Sequence, residues 1–120
     1  LKIFNAVINN RIKNINIKWK KEKCMTIVLC SKGYPGSYEK NIKIKNITNL
    51  KLKKNTYIFH AGTKLIKDDL VSNGGRVLNI TSLGKDLAEI RRYIIKVFKM
   101  INWKKGFYRR DIGWRVINNS

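Results

Sequence analysis

Apolar positions recur along this chain in three rhythms, and each predicts a different element. A helical rhythm comes first. Leu1, Phe4, Val7 and Ile8 share one face of a predicted helix, which Asn9, Asn10 and Arg11 would end. Ile12, Ile15 and Ile17 then lead to Trp19 between Asn and Lys residues, a pattern read as a connector with a short strand. The second rhythm is a near-continuous run, Cys24 to Ser31, apolar on both faces like a strand that is central or covered on both sides. The third comprises shorter β-prone runs. Thr56-Tyr57-Ile58-Phe59-His60-Ala61, Thr63 to Lys67 and Leu70 to Ser72 are separated by Gly62 and by Asp68-Asp69, which predicts an antiparallel meander. Asn41 to Leu50 alternates only weakly and is compatible with a short edge strand or a single helical turn.

Val77 to Leu83 alternates apolar with polar residues as one further strand, closed by Gly84. Lys85 or Asp86 then caps a helix in which Leu87, Ile90, Ile94, Val97, Phe98 and Ile101 share one face. Arg91, Arg92, Lys96 and Lys99 fall opposite, where their stems can lie along the surface. These elements give an α+β class: a small, mainly antiparallel sheet covered by one long amphipathic helix. The 120 residues fit one domain with its own core. Because the chain opens at Leu1 within a helical pattern, it is expected to be a piece of a longer protein.

The formal charge of +20 at first suggests an anionic partner such as nucleic acid. Its source alters that reading. Lys, Ile and Asn number 20, 18 and 14, whereas Arg numbers only 7. All three abundant residues have AT-rich codons, and the lysines are scattered in small groups instead of marking one arginine-rich face. A solvated surface accounts for the charge, and a small basic nucleic-acid-binding module remains the alternative. No run is long and apolar enough to suggest a membrane span. Cys24 and Cys30 lie on one predicted strand, roughly 20 Å apart and beyond disulfide reach. They are expected to be small, buried thiols in a reducing cytoplasm.

Candidate chemistry is sparse. Only seven acids occur, and no paired carboxylates, nucleophile elbow or dinucleotide fingerprint is present. No catalytic residue and no metal ligand is assigned. His60 reads as a hydrogen-bonded structural residue. Two glycine-bearing loops remain, each joined to a predicted strand. Ser31-Lys32-Gly33-Tyr34-Pro35-Gly36 follows the first strong strand, and Asn73-Gly74-Gly75-Arg76 opens directly into the last one. Glycines let backbone approach an anion closely and a neighbouring Lys or Arg adds charge, so the two loops could form part of a phosphate or nucleotide site. In the tail, Trp103, Phe107, Tyr108 and Trp114 could stack on bases. They could equally pack the chain end onto the sheet, with Asp111 pairing an adjacent Arg.

Four segments in order carry a specific resemblance: Ser31 to Lys40, Phe59-His60-Ala61-Gly62-Thr63, Asn73 to Thr81, and Phe107-Tyr108-Arg109-Arg110-Asp111-Ile112-Gly113-Trp114. Together they resemble the C-terminal domain of the phosphoribosylamine–glycine ligase (glycinamide ribonucleotide synthetase) family of ATP-grasp enzymes. The resemblance implies a cytoplasmic, ATP-binding and metal-binding ligase of purine biosynthesis. Such an enzyme uses ATP with Mg²⁺ or Mn²⁺ to activate glycine as glycyl phosphate and joins it to 5-phosphoribosylamine, releasing ADP and phosphate. It also implies that the nucleotide- and metal-binding acids lie in an upstream ATP-grasp core. Residues 1–22 would then be the end of that preceding domain and a connector, residues 23–120 would be the C-terminal domain, and this piece alone would be inactive. Arg76, with Gly74 and Gly75, becomes a candidate anion contact facing the cleft. Gly33, Tyr34, Pro35 and Gly36 become candidates for its neighbouring wall. The competing reading gives both motifs to domain packing.

Overall fold

Strand β1 (Lys23–Ser31) runs through the interior of a four-stranded sheet in a computed structural model that describes residues 1–118. It pairs antiparallel with β5 (Arg76–Gly84), from Lys23 opposite Gly84 to Leu29 opposite Leu78. A bulge between Leu29 and Cys30 then sets Cys30 opposite Arg76. On the far side of β5 lies β2 (Thr56–His60), and beside the end of β1 lies the two-residue β6 (Gly106–Phe107). The order is β2-β5-β1-β6.

Side chains alternate across a strand, so each strand divides its residues between two faces. Met25, Ile27, Leu29, Leu78 and Ile80 are buried on one of them. Helix α2 (Leu87–Met100) covers this face with Ile90, Ile94, Val97 and Phe98. Asp86 is its N-cap: the side chain accepts a 2.7 Å hydrogen bond from the Glu89 amide, satisfying one of the free donors of the first turn.

The three short strands do not form a meander. β2 pairs with β5, whereas β3 (Thr63–Ile66) and β4 (Asp69–Ser72) make a separate two-stranded sheet. The reason lies at Gly62. Ala61 and Gly62 donate their amides to the carbonyls of Val77 and Arg76 at 3.0 and 2.9 Å, which holds the chain on the β5 edge before it turns away. Asn41–Leu50 is irregular and closer to the strand alternative, touching Val71 and Asn102 through isolated bridges at Lys43 and Lys45. No strand forms between Ile12 and Trp19. A single 3-10 turn, Ile12–Asn14, stands there, and the backbone from there to Trp19 pairs with no strand.

The first helix, α1 (Lys2–Ile8), forms as its pattern predicts, yet Leu1, Phe4, Val7 and Ile8 stay exposed and only Ala6 is buried. In the tail, Trp103 is buried and Tyr108 stacks on Phe98 with ring centroids 5.1 Å apart. Trp114 departs from the packing expectation: half-exposed at the start of α3 (Trp114–Asn118), it carries the Arg115 guanidinium over its ring. Arg91 departs from the solvated face expected of it. Its Nε donates to the Ile112 carbonyl at 2.9 Å, and a second nitrogen donates to the Arg110 carbonyl, which fastens the tail to α2. The cysteines are free thiols, but Cys24 is exposed and Cys30 half-buried, because both point away from the α2 face.

Candidate functional site

The second face of the sheet is open. By register, Phe59, Asn79 and Val28 lie in one row across it and Tyr57, Thr81 and Thr26 in the next. Thr26 and Thr81 share a 2.8 Å hydroxyl hydrogen bond, and the rings of Tyr57 and Phe59 stack at 6.3 Å. The two rings are 49% and 52% exposed, so nothing among the described residues covers this end of the face.

Three of the sequence motifs meet at its other end. Ser31, the last residue of β1, donates its hydroxyl to the Gly74 carbonyl and its amide to the Gly75 carbonyl, both at 2.8 Å. Asn73 donates its amide to the Gly62 carbonyl at 2.7 Å, so the segment around Gly62 is sewn to the Gly74–Gly75 loop. Packing makes glycine necessary twice. A Cβ on Gly75 would lie 2.1 Å from Cδ2 of Tyr34, because that ring rests directly on the Gly75 backbone. Gly33, at φ +100°, holds a left-handed conformation that other residues avoid, and a Cβ there would strike the Ser37 carbonyl oxygen at 2.1 Å. Gly33 thereby turns the chain so that Tyr34 reaches across to the second loop. The Tyr34–Pro35 peptide is cis.

Two adjoining clefts result, with the Tyr34 ring in the wall of both. One has a volume of about 460 Å³ and is lined by Val28, Tyr34, Ala61, Gly75, Arg76 and Asn79. The other, of about 370 Å³, is more apolar and includes Cys30, Tyr34, Pro35, Phe107 and Arg109. Of the seven expected site residues, Tyr34, Gly75 and Arg76 therefore line the first cleft, and Pro35 lines the second. Gly33, Gly36 and Gly74 shape the loops from behind. Gly36 closes the turn beneath the Gly33 carbonyl, and Gly74 presses against Gly62.

The electrostatics distinguish the two arginines. Arg109 is held in a two-pronged pair with Asp111, at 2.6 and 3.1 Å. That hydrogen bonding lowers the Asp111 pKa and raises that of Arg109. Arg76 is exposed and makes no ion pair among the described residues. Burial pushes the Cys30 thiol above its ordinary pKa, and the nearby Arg76 charge offsets part of that rise. His60 lies outside both clefts, with Nδ1 3.1 Å from the Thr63 hydroxyl. Among the described residues no cluster of His, Cys, Asp or Glu could hold a metal ion.

Asn79 and Ala61 belong to motifs that carry the resemblance and Val28 to the first strong strand, but none of the three is an expected site residue. Asn79 had a readable signal, because alternation in Val77–Leu83 sets it opposite the face of Leu78 and Ile80. Ala61 sits in the Phe59–Thr63 motif, but its place in the cleft depends on the pairing of β2 with β5.

A small α+β domain with one sheet face sealed by a helix and the other left open beside an arginine-bearing cleft is the class defined here. The family described as "Phosphoribosylglycinamide synthetase, C domain" matches residues 24–115, and the chain belongs to that family. It is 37% identical over its full length to a phosphoribosylamine–glycine ligase of Brucella melitensis, covering 28% of that protein. It is 41% identical over 99% of its length to a chloroplastic phosphoribosylamine–glycine ligase of Arabidopsis thaliana, covering 23% of it. Among solved structures, a phosphoribosylamine–glycine ligase from Thermotoga maritima superposes with a TM-score of 0.67 at 27% identity. That match spans 90% of this chain and 27% of the other. The chain thus spans about a quarter of the length of these relatives.

Proposed function

We propose that this chain is the C-terminal portion of an ATP-dependent ligase that joins glycine to 5-phosphoribosylamine in purine biosynthesis, giving glycinamide ribonucleotide. Family membership supports the reaction. The observation that carries this chain's part in it is the convergence of the Ser31–Lys40, Phe59–Thr63 and Asn73–Thr81 motifs on one cleft bearing an unpaired Arg76. Residues 1–22 form the end of the preceding domain and a connector, and residues 23–120 form the C-terminal domain.

When bound, ATP with Mg²⁺ or Mn²⁺ supplies the phosphoryl group that activates the glycine carboxylate, and the amine of phosphoribosylamine then displaces phosphate. No cluster of His, Cys, Asp or Glu among the described residues fits a metal ion, and in this reading the upstream ATP-grasp core holds it. The work of this chain is placement. Arg76 offers a fixed cation to an anionic group. Tyr34, Val28 and Pro35 form an apolar wall that keeps water from a hydrolysable acyl phosphate. The upstream core is the main partner, and the exposed rings of Tyr57 and Phe59 on the open face are apolar surface for it to cover. No described helix is long and apolar enough to cross a membrane. We place the protein in the cytoplasm.

The test is ADP release by the full-length protein, which should require both glycine and phosphoribosylamine. The 120-residue chain alone should show none. Full-length protein that releases no ADP with both substrates present would contradict the proposal.

A further inference from the structure

Of the fourteen asparagines in the chain only Asn73 is followed by a glycine, and that pair opens the loop that carries Arg76. The pair has a reactivity of its own. The backbone nitrogen of the next residue can attack an Asn carboxamide carbon, and a side chain on that residue obstructs the approach. Gly74 has none. Asn73 is exposed, and its carboxamide makes no hydrogen bond among the described residues. The Gly74 amide, which is the nucleophile, donates to no acceptor among them. That amide must give up its proton to react. The Arg76 cation two residues on, in a chain of formal charge +20, favours the anion that results. By contrast, Asn46 and Asn79 each precede an isoleucine, whose branched side chain hinders the attack.

We infer that Asn73 is a modification site, where the protein deamidates without an enzyme and so alters the charge and length of the loop beside Arg76. The Gly74 nitrogen bonds to Cγ of Asn73 and closes a succinimide ring. The carboxamide nitrogen leaves as ammonia and takes the Gly74 amide proton with it. Water, the only co-reactant, then adds to either ring carbonyl and breaks its bond to nitrogen. One opening gives aspartate, and the other gives isoaspartate, in which the main chain runs through Cβ. Aspartate sets a carboxylate three residues before Arg76, which has no ion pair among the described residues. Isoaspartate adds a main-chain atom where there is no slack. The Asn73 amide is tied to the Gly62 carbonyl at 2.7 Å, and Ser31 holds the carbonyls of Gly74 and Gly75 at 2.8 Å. Gly62 and Gly74 also pack so closely that a Cβ on Gly62 would lie 2.7 Å from Cα of Gly74. The added atom therefore displaces Gly75, on whose backbone the Tyr34 ring rests. The modification stands on these residues alone, and only its effect on turnover rests on the ligase reading above.

The experiment ages the full-length protein at mildly alkaline pH, with samples taken for peptide mass spectrometry, isoaspartyl methyltransferase labelling and turnover. The exchange of amide for acid should appear at Asn73 before it appears at Asn46 or Asn79, and the methyl label should fall on the same peptide. Asn73→Gln, whose longer side chain closes the ring slowly, should lack that label. Turnover should be lost in step with the modified fraction in wild type. Over the same interval Asn73→Gln should keep its own starting value. An unmodified Asn73 in the folded protein, alongside ready deamidation of the same peptide in denaturant, would show that the ties of the loop block the attack and would overturn the inference. Full modification with undiminished turnover would overturn its effect on the cleft. Wild-type protein without ligase activity would refute the functional reading instead, and the peptide masses would still decide the site.

Discussion

The two faces of the four-stranded sheet come from the same strands, yet they behave as different materials. Toward α2, Ile27, Leu78, Ile80 and Ile94 are at most 2% exposed and interlock as an interior. Away from α2, the residues between them along β1, β5 and β2 are Thr26, Val28, Asn79, Thr81, Tyr57 and Phe59, half-buried or exposed. Stability is concentrated on one face, and the proposed recognition falls on the other. The apolar composition of β1 conceals this division, which emerges only when its residues are taken alternately.

Substitutions on the two faces should therefore differ most in size and kind. Leu78→Ala or Ile80→Ala should lower the stability of the domain by about 2–5 kcal/mol, because the surrounding core cannot fully collapse into the cavity. Chemical denaturation of the full-length protein would show this as early loss of the transition that reports on this domain. Next in size is Gly75→Val. Its Cβ would occupy the seat of the Tyr34 ring, costing about 1–3 kcal/mol through overpacking and lowering turnover sharply by displacing that wall. Turnover retained with Tyr34 displaced in a crystal structure would break the link between the two loops and catalysis.

Smaller effects sharpen the contrast. Asp86→Ala removes the N-cap of α2 and should cost about 1 kcal/mol without changing KM for any substrate. Tyr57→Thr, on the open face, should change the intrinsic stability of this domain by no more than about 0.5 kcal/mol. A loss as large as that of Leu78→Ala would show the open face to be a second core. The two thiols give the mildest test. Burial raises the Cys30 pKa, so at neutral pH it holds less thiolate than an unperturbed thiol, and the shortfall closes only as pH rises through that raised value. Cys24 is exposed and should be alkylated faster than Cys30, with the difference narrowing toward alkaline pH. Mass spectrometry of partially alkylated protein would resolve the two sites.

Much of the covered face was legible in the sequence because it depends on local period. The run at Cys24–Ser31, the alternation in Val77–Leu83 and the i, i+3, i+4 spacing from Leu87 to Ile101 all reappear as β1, β5 and α2. The partners of β2 were not legible. Tight turns at Gly62 and Asp68-Asp69 suggested a meander, but pairing is settled by which edge of β5 is free, a long-range fact that no local turn encodes. Arg91 looked solvated for a similar reason, since the carbonyls it ties down lie about twenty residues away in the tail. At the candidate site, glycine and charge marked Gly33, Gly75 and Arg76. The aromatic seat of Tyr34 became visible only once the three loops were brought together, whereas strand alternation already set Asn79 away from the face of Leu78 and Ile80.

The open face is held to be a working wall of an active site, and Arg76 is the residue on which that claim bears most directly. The decisive measurement is turnover of the full-length enzyme carrying Arg76→Ala, made alongside its melting temperature. Turnover efficiency with the sugar substrate should fall at least about tenfold, in keeping with loss of a charge-assisted contact, while melting stays at the wild-type temperature. Wild-type kinetics in a fully folded variant would contradict the account and leave the Asn73–Arg76 loop a packing element alone.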